Sequence, residues 1–233
     1  MKTIHRATLE TCAAATGLVV VIDVLRAFTT AAFLFAAGVE EITLVSTVEE
    51  ALALKRAHPD MLLVGEVGGL PIPGFDYGNS PSAFVGVDLR GRCFVQRTSA
   101  GTQGVVRSVN AGEILLASLV VAGATLRHIQ NSSWQSVTLV QTESPRDASE
   151  AEMSTGDEDA ACADLLADGL AGRASDTAAI QRRARGSKSG QKFSGAHAAF
   201  PTTDLQYALE IDRFDFAMRV ERRDGLFVAR AVQ

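Results

Sequence analysis

Short continuous runs of aliphatic and β-branched residues recur along the chain at 18–23, 42–45, 61–64, 93–96, 114–116, 137–140 and 214–220. Between them lie Ala-rich or amphipathic stretches at 29–37, 47–57, 102–111, 157–170 and 203–211. Apolar runs without alternation suit strands covered on both faces, and the longer stretches have the length of helices. The pattern predicts an α/β fold, a three-layer α/β/α sandwich. Residues 226–232 add a strand, expected at a sheet edge. A further helix is expected from about residue 177. It ends in the basic run Arg182-Arg183-Ala184-Arg185, which complements a helix dipole. Residues 142–155 and 186–196 are polar and rich in small residues and read as surface loops.

Two segments share an order. Arg26-Ala27-Phe28-Thr29-Thr30 precedes Glu41-Ile42, and Arg97-Thr98-Ser99-Ala100-Gly101-Thr102 precedes Glu113-Ile114. Each is an Arg-bearing strand end, a helix and a strand opening on Glu-Ile, as two intertwined related halves would produce.

The chain has 233 residues, enough to bury a core without disulfides, and reads as one domain over residues 1–233. Its three cysteines (Cys12, Cys93, Cys162) are far apart and form no C-x-x-C pair. This argues against a disulfide framework or zinc site and favours a reducing compartment. No apolar stretch follows Lys2, and the two longest, at 27–39 and 114–126, fall short of the about 20 residues that span a bilayer. A cytoplasmic protein without a membrane partner is expected. The net charge of −5 gives no reason to bind nucleic acid.

Three loops carry more polar chemistry than packing requires. In the first, a buried strand delivers Asp23, followed by Arg26, Thr29 and Thr30 where a helix should begin. Ligands of open α/β sheets lie beyond the carboxyl ends of strands, and helix N-termini favour anions. Helix capping by Asp23 and Thr29, with Arg26 paired to Asp23, is the equally matched bland account.

The second loop runs from Gly65 to Pro81 and holds five glycines, three prolines, Glu66, Asp76, Asn79 and Ser80. Glu66 and Asp76 are of the type that binds a hard cation such as Mg2+. The third, Gln96-Arg97-Thr98-Ser99-Ala100-Gly101-Thr102, offers a guanidinium, hydroxyls and backbone amides to an anion. It lacks the lysine and spacing of a P-loop. A fourth segment, Gly156-Asp157-Glu158-Asp159, opens a helix with three carboxylates, more than capping needs.

Other chemistries are excluded. Leu25 stands where a haloacid-dehalogenase D-x-D would need its second Asp, and Cys93 and Arg97 are too close for a cysteine phosphatase loop. There is no G-x-S-x-G elbow and no dinucleotide fingerprint. His5, His58, His128 and His197 stand singly, outside any zinc motif.

Taken in order, VVVIDVLRAFTT, the GE-x-GG…GFDYGNSP loop, the TSAGT turn and GDEDAACA resemble the 2-phosphosulfolactate phosphatase (ComB) family. The resemblance covers residues 18–220, most weakly across 142–155 and 172–200. It implies a ComB-like mixed α/β architecture of related halves and Mg2+-dependent hydrolysis of 2-phosphosulfolactate to sulfolactate and phosphate, a step of coenzyme M biosynthesis. It assigns Asp23, Arg26, Thr29 and Thr30 to the first motif and Glu66, Gly68, Gly69, Asp76, Gly78, Asn79 and Ser80 to the second. Thr98, Ser99, Gly101 and Thr102 belong to the third, Glu158 and Asp159 to the fourth. Two departures stand out: Val67 replaces an arginine common in the family's G-E-R, and Ser99-Ala100 replaces Thr-Asn.

The expected site follows. Asp23, Glu66, Glu158 and Asp159 are the candidate metal ligands, and Asp23, Arg26, Asp76 and Arg97 the candidate catalytic groups, with Asp76 a candidate base. Thr29, Thr30, Asn79, Ser80, Thr98, Ser99, Gly101 and Thr102 are the candidate substrate contacts. The expected partner is a small phosphorylated, carboxylated or sulfonated metabolite, attacked directly by water. Ala-rich helices could pack closely enough to support a homodimer. The rival readings are a non-catalytic sensor of a phosphorylated metabolite, a phosphatase of another phospho-hydroxy acid, or an isomerase or lyase on the same scaffold.

Overall fold

The computed structural model describes residues 2–142 and 158–233. The loop expected at 142–155 therefore lies, apart from Thr142, outside the described residues, as does Asp157. The strands are β1 (Thr3–Thr8), β2 (Leu18–Ile22), β3 (Glu41–Val45), β4 (Leu62–Val67), β5 (Leu70–Pro71) and β6 (Tyr77–Gly78). They continue with β7 (Cys93–Arg97), β8 (Glu113–Ala117), β9 (Ser136–Gln141), β10 (Ala217–Arg223) and β11 (Leu226–Val232). The helices are α1 (Ala27–Ala36), α2 (Val48–Ala57), α3 (Gly101–Arg107), α4 (Ala122–Asn131), α5 (Glu158–Leu170), α6 (Thr177–Gly186), α7 (Lys188–Gln191) and α8 (Thr202–Ala208).

The sheet runs β1-β9-β2-β8-β10-β11-β3-β7-β4-β5, with β6 on β4. β1, β9, β2 and β8 are mutually parallel, and so are β3, β7, β4 and β6. The antiparallel hairpin β10–β11 joins the two sets. This arrangement is a duplication. The unit β2-α1-β3-α2-β4 repeats as β7-α3-β8-α4-β9, and the order β9-β2-β8-β10 mirrors β4-β7-β3-β11 position by position. Helix α1 carries the chain from one parallel set to the other and α3 carries it back, so the halves are intertwined.

Strand side chains alternate between faces. Val19, Val21, Leu116 and Val140 meet α1 and α3 in one core, whereas Leu18, Val20, Ile22, Leu115 and Leu139 meet α4, α5 and α6 in another. On the second half, Val45, Leu63 and Val95 pack beneath α2. Both faces are covered, as continuous apolar strands require.

The structure corrects two expectations and adds elements that the sequence pattern did not reveal. Strand β11 is central, paired to β10 and β3, because its apolar positions complete the junction between the halves. Strand β1 was not apparent: Thr-Ile-His-Arg-Ala-Thr is an exposed edge strand with little apolar pattern. Helix α4 lies partly within the apolar run 114–126, whose first residues are strand and whose last are helix. The segment 186–196 contains α7, with Ser187 accepting a hydrogen bond from the Gly190 amide as its cap.

Candidate active site

The site forms where the turn after β2 meets the turn after β7. Strand β2 is buried along its whole length and leads into Asp23, whose Oδ1 accepts the Ala27 amide at 2.9 Å. That bond caps the first turn of α1. The Leu25–Arg26 peptide within this turn is cis. A Cβ on Gly101, the first residue of α3, would fall 2.6 Å from Ala27 Cβ and 2.8 Å from Asp23 Oδ2. No side chain fits there, so Gly101 lets the beginnings of α1 and α3 touch. Gln96 adds a second tie, donating from Nε2 to Ala27 O at 2.9 Å.

Each turn is braced by a buried carboxylate. Glu66, at the end of β4, accepts the Ser99 amide at 2.6 Å, Ser99 Oγ at 3.1 Å and the Gly69 amide at 2.5 Å. Asp159, in the first turn of α5, accepts the Val24 amide at 2.8 Å, the Thr142 amide at 3.1 Å and Thr142 Oγ1 at 3.0 Å. The two bonds correspond across the duplication: each carboxylate holds the amide just beyond Asp23 or Thr98. They also fasten the second motif to the third and the fourth to the first. Both side chains are more than nine-tenths buried.

Arg26 joins a further segment. Its Nη1 donates to Asp204 Oδ2 at 2.7 Å and to Ala199 O at 2.8 Å, and its Nη2 to Gly69 O at 3.2 Å. The rings of Phe193 and Phe200 each lie 5.1 Å from the guanidinium carbon, within cation–π range. Asp204 Oδ1 accepts Ser80 Oγ, the Ser82 amide and Ser82 Oγ at 2.8, 3.1 and 2.6 Å. Asp204, Ser82, Phe193 and Phe200 were not singled out by sequence. Asp204 follows Pro201 by three residues and looks like an ordinary acidic first-turn residue, and the two phenylalanines sit in or beside an apparent loop. The one available signal was a phenylalanine on either side of a polar Gly-Ser segment.

The remaining candidates divide. Thr29 Oγ1 donates to Val24 O, and Thr98 and Thr102 cap each other's amides reciprocally, so these hydroxyls shape their turns. Thr30 Oγ1, Asn79 Oδ1 and Gln96 Oε1 are buried without a hydrogen-bond partner among the described residues. Such atoms are costly unless something outside the protein satisfies them. Arg97 donates to Glu66 O at 2.8 Å and Ser46 O at 3.3 Å, clamping two neighbouring strand ends. Gly65 permits this approach, since a Cβ there would lie 1.9 Å from Arg97 O.

Asp76 does not join the group. Its carboxylate accepts the Leu63 amide at 2.8 Å and faces Lys55 Nζ at 3.6 Å, both at the opposite end of β4 from Glu66. Residue register explains this: Tyr77 and Gly78 run parallel to Val64 and Gly65, which leaves Asp76 behind them and carries Asn79 forward.

Among the described residues no three His, Cys, Asp or Glu side chains cluster as a metal set. Glu66 braces the second-half turn, while Glu158 and Asp159 open the helix fastened to the Asp23 turn. A cavity of about 380 Å3 lies elsewhere, bordered by Glu113, Arg127, His128 and Trp134. Its charged groups pair with one another or with Arg219 and Asp215, so it offers no comparable chemistry.

A family model described as 2-phosphosulpholactate phosphatase matches residues 4–223. The chain is 33% identical over 209 residues to the probable 2-phosphosulfolactate phosphatase of Bacillus subtilis (strain 168), covering 88% of this chain and 87% of that protein. A protein of the same description from Thermoplasma volcanium is 29% identical over 196 residues, covering 84% and 85%. That of Deinococcus radiodurans reaches 50% identity over 109 residues, 46% of this chain and 45% of the other.

Proposed function

The chain belongs to the 2-phosphosulpholactate phosphatase family, a family of phosphoric monoester hydrolases, and we propose that it hydrolyses 2-phosphosulfolactate to sulfolactate and phosphate at the junction of the β2 and β7 turns. The observation that carries this reading is the Gly101 contact. It brings the third loop and the start of α3 against the buried Asp23 carboxylate and the positive end of the α1 dipole, with the second and fourth motifs tied on by Glu66 and Asp159. Phosphoryl transfer asks for positioning and charge stabilisation, which this junction supplies.

In the reaction an oxygen of water bonds to phosphorus, the bond from phosphorus to the ester oxygen breaks, and that oxygen takes a proton. Arg26 balances charge on the phosphoryl oxygens, and Thr30 and Asn79, whose buried oxygens have no hydrogen-bond partner among the described residues, orient the substrate or the attacking water. The site residues fit a Mg2+ requirement in a reduced form. Mg2+ needs only one or two carboxylates besides water and phosphate oxygens. Asp23 would be one, and Glu158, whose neighbour Asp159 anchors their helix to the residue after Asp23, would be the other. When bound, the ion would neutralise charge on the phosphoryl group. Glu66, engaged by three donors, keeps a bracing role. A cytoplasmic place in coenzyme M biosynthesis is the corresponding cellular reading.

The test is phosphate release by the purified protein from 2-phosphosulfolactate, phospholactate and phosphoglycerate, each with Mg2+ and with EDTA. Mg2+-dependent release from 2-phosphosulfolactate above the other two supports the proposal. Release from another ester moves the substrate within the same chemistry. Binding of the esters without release would make the protein a sensor.

A further inference from the structure

Arg26 is among the most enclosed cations of the protein, with 4% of its side chain exposed, and its only ion-pair partner among the described residues is Asp204, whose side chain is fully buried. A guanidinium has five N–H donors in a rigid planar fork. Here Nη1 is used twice and Nη2 once, while the two phenyl rings cover the guanidinium. Nε–H has no hydrogen-bond partner among the described residues. The side chain is thus held by its far end, with its inner edge left to something else.

The holding group is itself held. Asp204 spends Oδ2 on Arg26 and Oδ1 on Ser80 and Ser82, at the end of the glycine-rich loop. An ionised carboxylate is an acceptor only, so all four bonds run towards it and fix its plane. Rotation of Arg26 would break the pair inside a buried setting, which is strongly unfavourable when one charge is left alone.

From this geometry we infer that Asp204 is a positioning residue for phosphoryl-group recognition: it fixes Arg26 so that the Nε–H edge meets a phosphoryl oxygen. The inference rests on the proposed phosphatase reading for the identity of the ligand, but it also makes a claim about binding of inorganic phosphate, the product, that does not depend on turnover. Phe193 and Phe200 complete the device by excluding water from the guanidinium, so that the buried ion pair is not exchanged for hydration.

The experiment is a double-mutant cycle on the full chain with Arg26→Met and Asp204→Asn, read by kcat, KM and calorimetric binding of inorganic phosphate. Arg26→Met should lower kcat by about 100- to 1,000-fold, the range for loss of one charge-stabilising donor. Asp204→Asn should lower kcat by about 10- to 100-fold and weaken phosphate binding, with a smaller change in KM. In the Arg26→Met background Asp204→Asn should cost almost nothing further, because its effect runs through Arg26. Additive losses would overturn the inference while leaving the phosphatase reading intact.

Loss of the buried charge could prevent Asp204→Asn from folding. Ser82→Ala, which keeps the ion pair and removes one of its supports, then replaces it in the cycle. It should lower kcat a few-fold in the wild-type background and leave it unchanged beside Arg26→Met; an equal loss in both backgrounds overturns the inference. Should the wild type release no phosphate from any ester, phosphate binding decides separately. Binding weakened by Asp204→Asn or Ser82→Ala alone but not beside Arg26→Met would sustain the positioning role and reject the phosphatase. Absence of any phosphate binding would reject both.

Discussion

The turn after β2 and the turn after β7 are the same piece of architecture used in two ways. Each ends a buried parallel strand, opens a crossover helix and is braced by a carboxylate from a neighbouring element. Yet the first presents Asp23 and Arg26, whereas the second presents Thr98, Ser99 and Thr102 and spends those hydroxyls on its own backbone or on Glu66. Duplication supplied two equivalent loops at one junction. The first turn presents an acid and a guanidinium, whereas beside the second Arg97 is tied to the Glu66 and Ser46 carbonyls and the turn itself is a scaffold whose smallest residue, Gly101, lets the first be approached. Chemistry and support are thereby divided between halves that remain alike in backbone.

The sharpest way to break this comparison is to neutralise the charged turn. Asp23→Asn should reduce kcat at least about 1,000-fold, equivalent to about 4 kcal/mol of transition-state stabilisation, with far-UV circular dichroism unchanged. Ser99→Ala should cost only a few-fold in the same assay. Similar losses from both would contradict the division of labour.

Removing a brace should act on stability instead. Asp159→Ala leaves the Val24 and Thr142 amides without their acceptor, and each unmet buried donor costs about 1–3 kcal/mol. We expect a loss of about 3 kcal/mol in urea unfolding, and Glu66→Ala should match it to within about 1 kcal/mol because it too leaves two backbone amides and a hydroxyl without their acceptor. Gly101→Ala should be milder, about 2 kcal/mol, the usual cost of forcing a methyl group into filled space. Its effect on kcat should nonetheless be large, since the added methyl pushes directly on Asp23.

A smaller effect separates the halves away from the site. Glu41 and Glu113 open the equivalent strands β3 and β8. Burial would raise the Glu41 carboxyl, but hydrogen bonds and charge from Arg223 and Arg230 outweigh it and hold the group below its ordinary 4.5. Burial would likewise raise the Glu113 carboxyl, but His128, Trp134 and Arg219 together outweigh it and hold the group below its ordinary value. A depressed carboxyl stabilises the folded protein above its unfolded pKa and loses that contribution as pH falls through the folded value. Stability should therefore decline as pH drops below about 4.5. Glu41→Gln should flatten that decline measurably in urea titrations between about pH 5 and pH 3. A slope identical to wild type would show that the Glu41 ion pairs add nothing.

Much of this was legible in the sequence, because the strands that carry the site are buried on both faces and so read as unbroken apolar runs. Asp23 was visible as a charge at the end of such a run, and the Glu-Ile openings of β3 and β8 hinted at the duplication, although Arg26 and Arg97 do not occupy equivalent positions. What escaped notice depended on contacts across the chain. Asp204 finds Arg26 across 178 residues, a partnership with no local trace. Asp76 looked equal to Glu66 because both are acids in one Gly-rich loop, and only the register of β6 on β4 sends them to opposite ends. The central place of β11 was equally hidden, since a strand joining two halves has the same pattern as one at an edge.

The central claim is that the two turns form one phosphatase site with its charge in the first. Initial rates of phosphate release from 2-phosphosulfolactate by wild type, Asp23→Asn and Gly101→Ala test it most directly. The account predicts measurable release by the wild type, loss of at least about 1,000-fold in Asp23→Asn and a marked loss in Gly101→Ala at temperatures where it remains folded. Release by Asp23→Asn at the wild-type rate would contradict it.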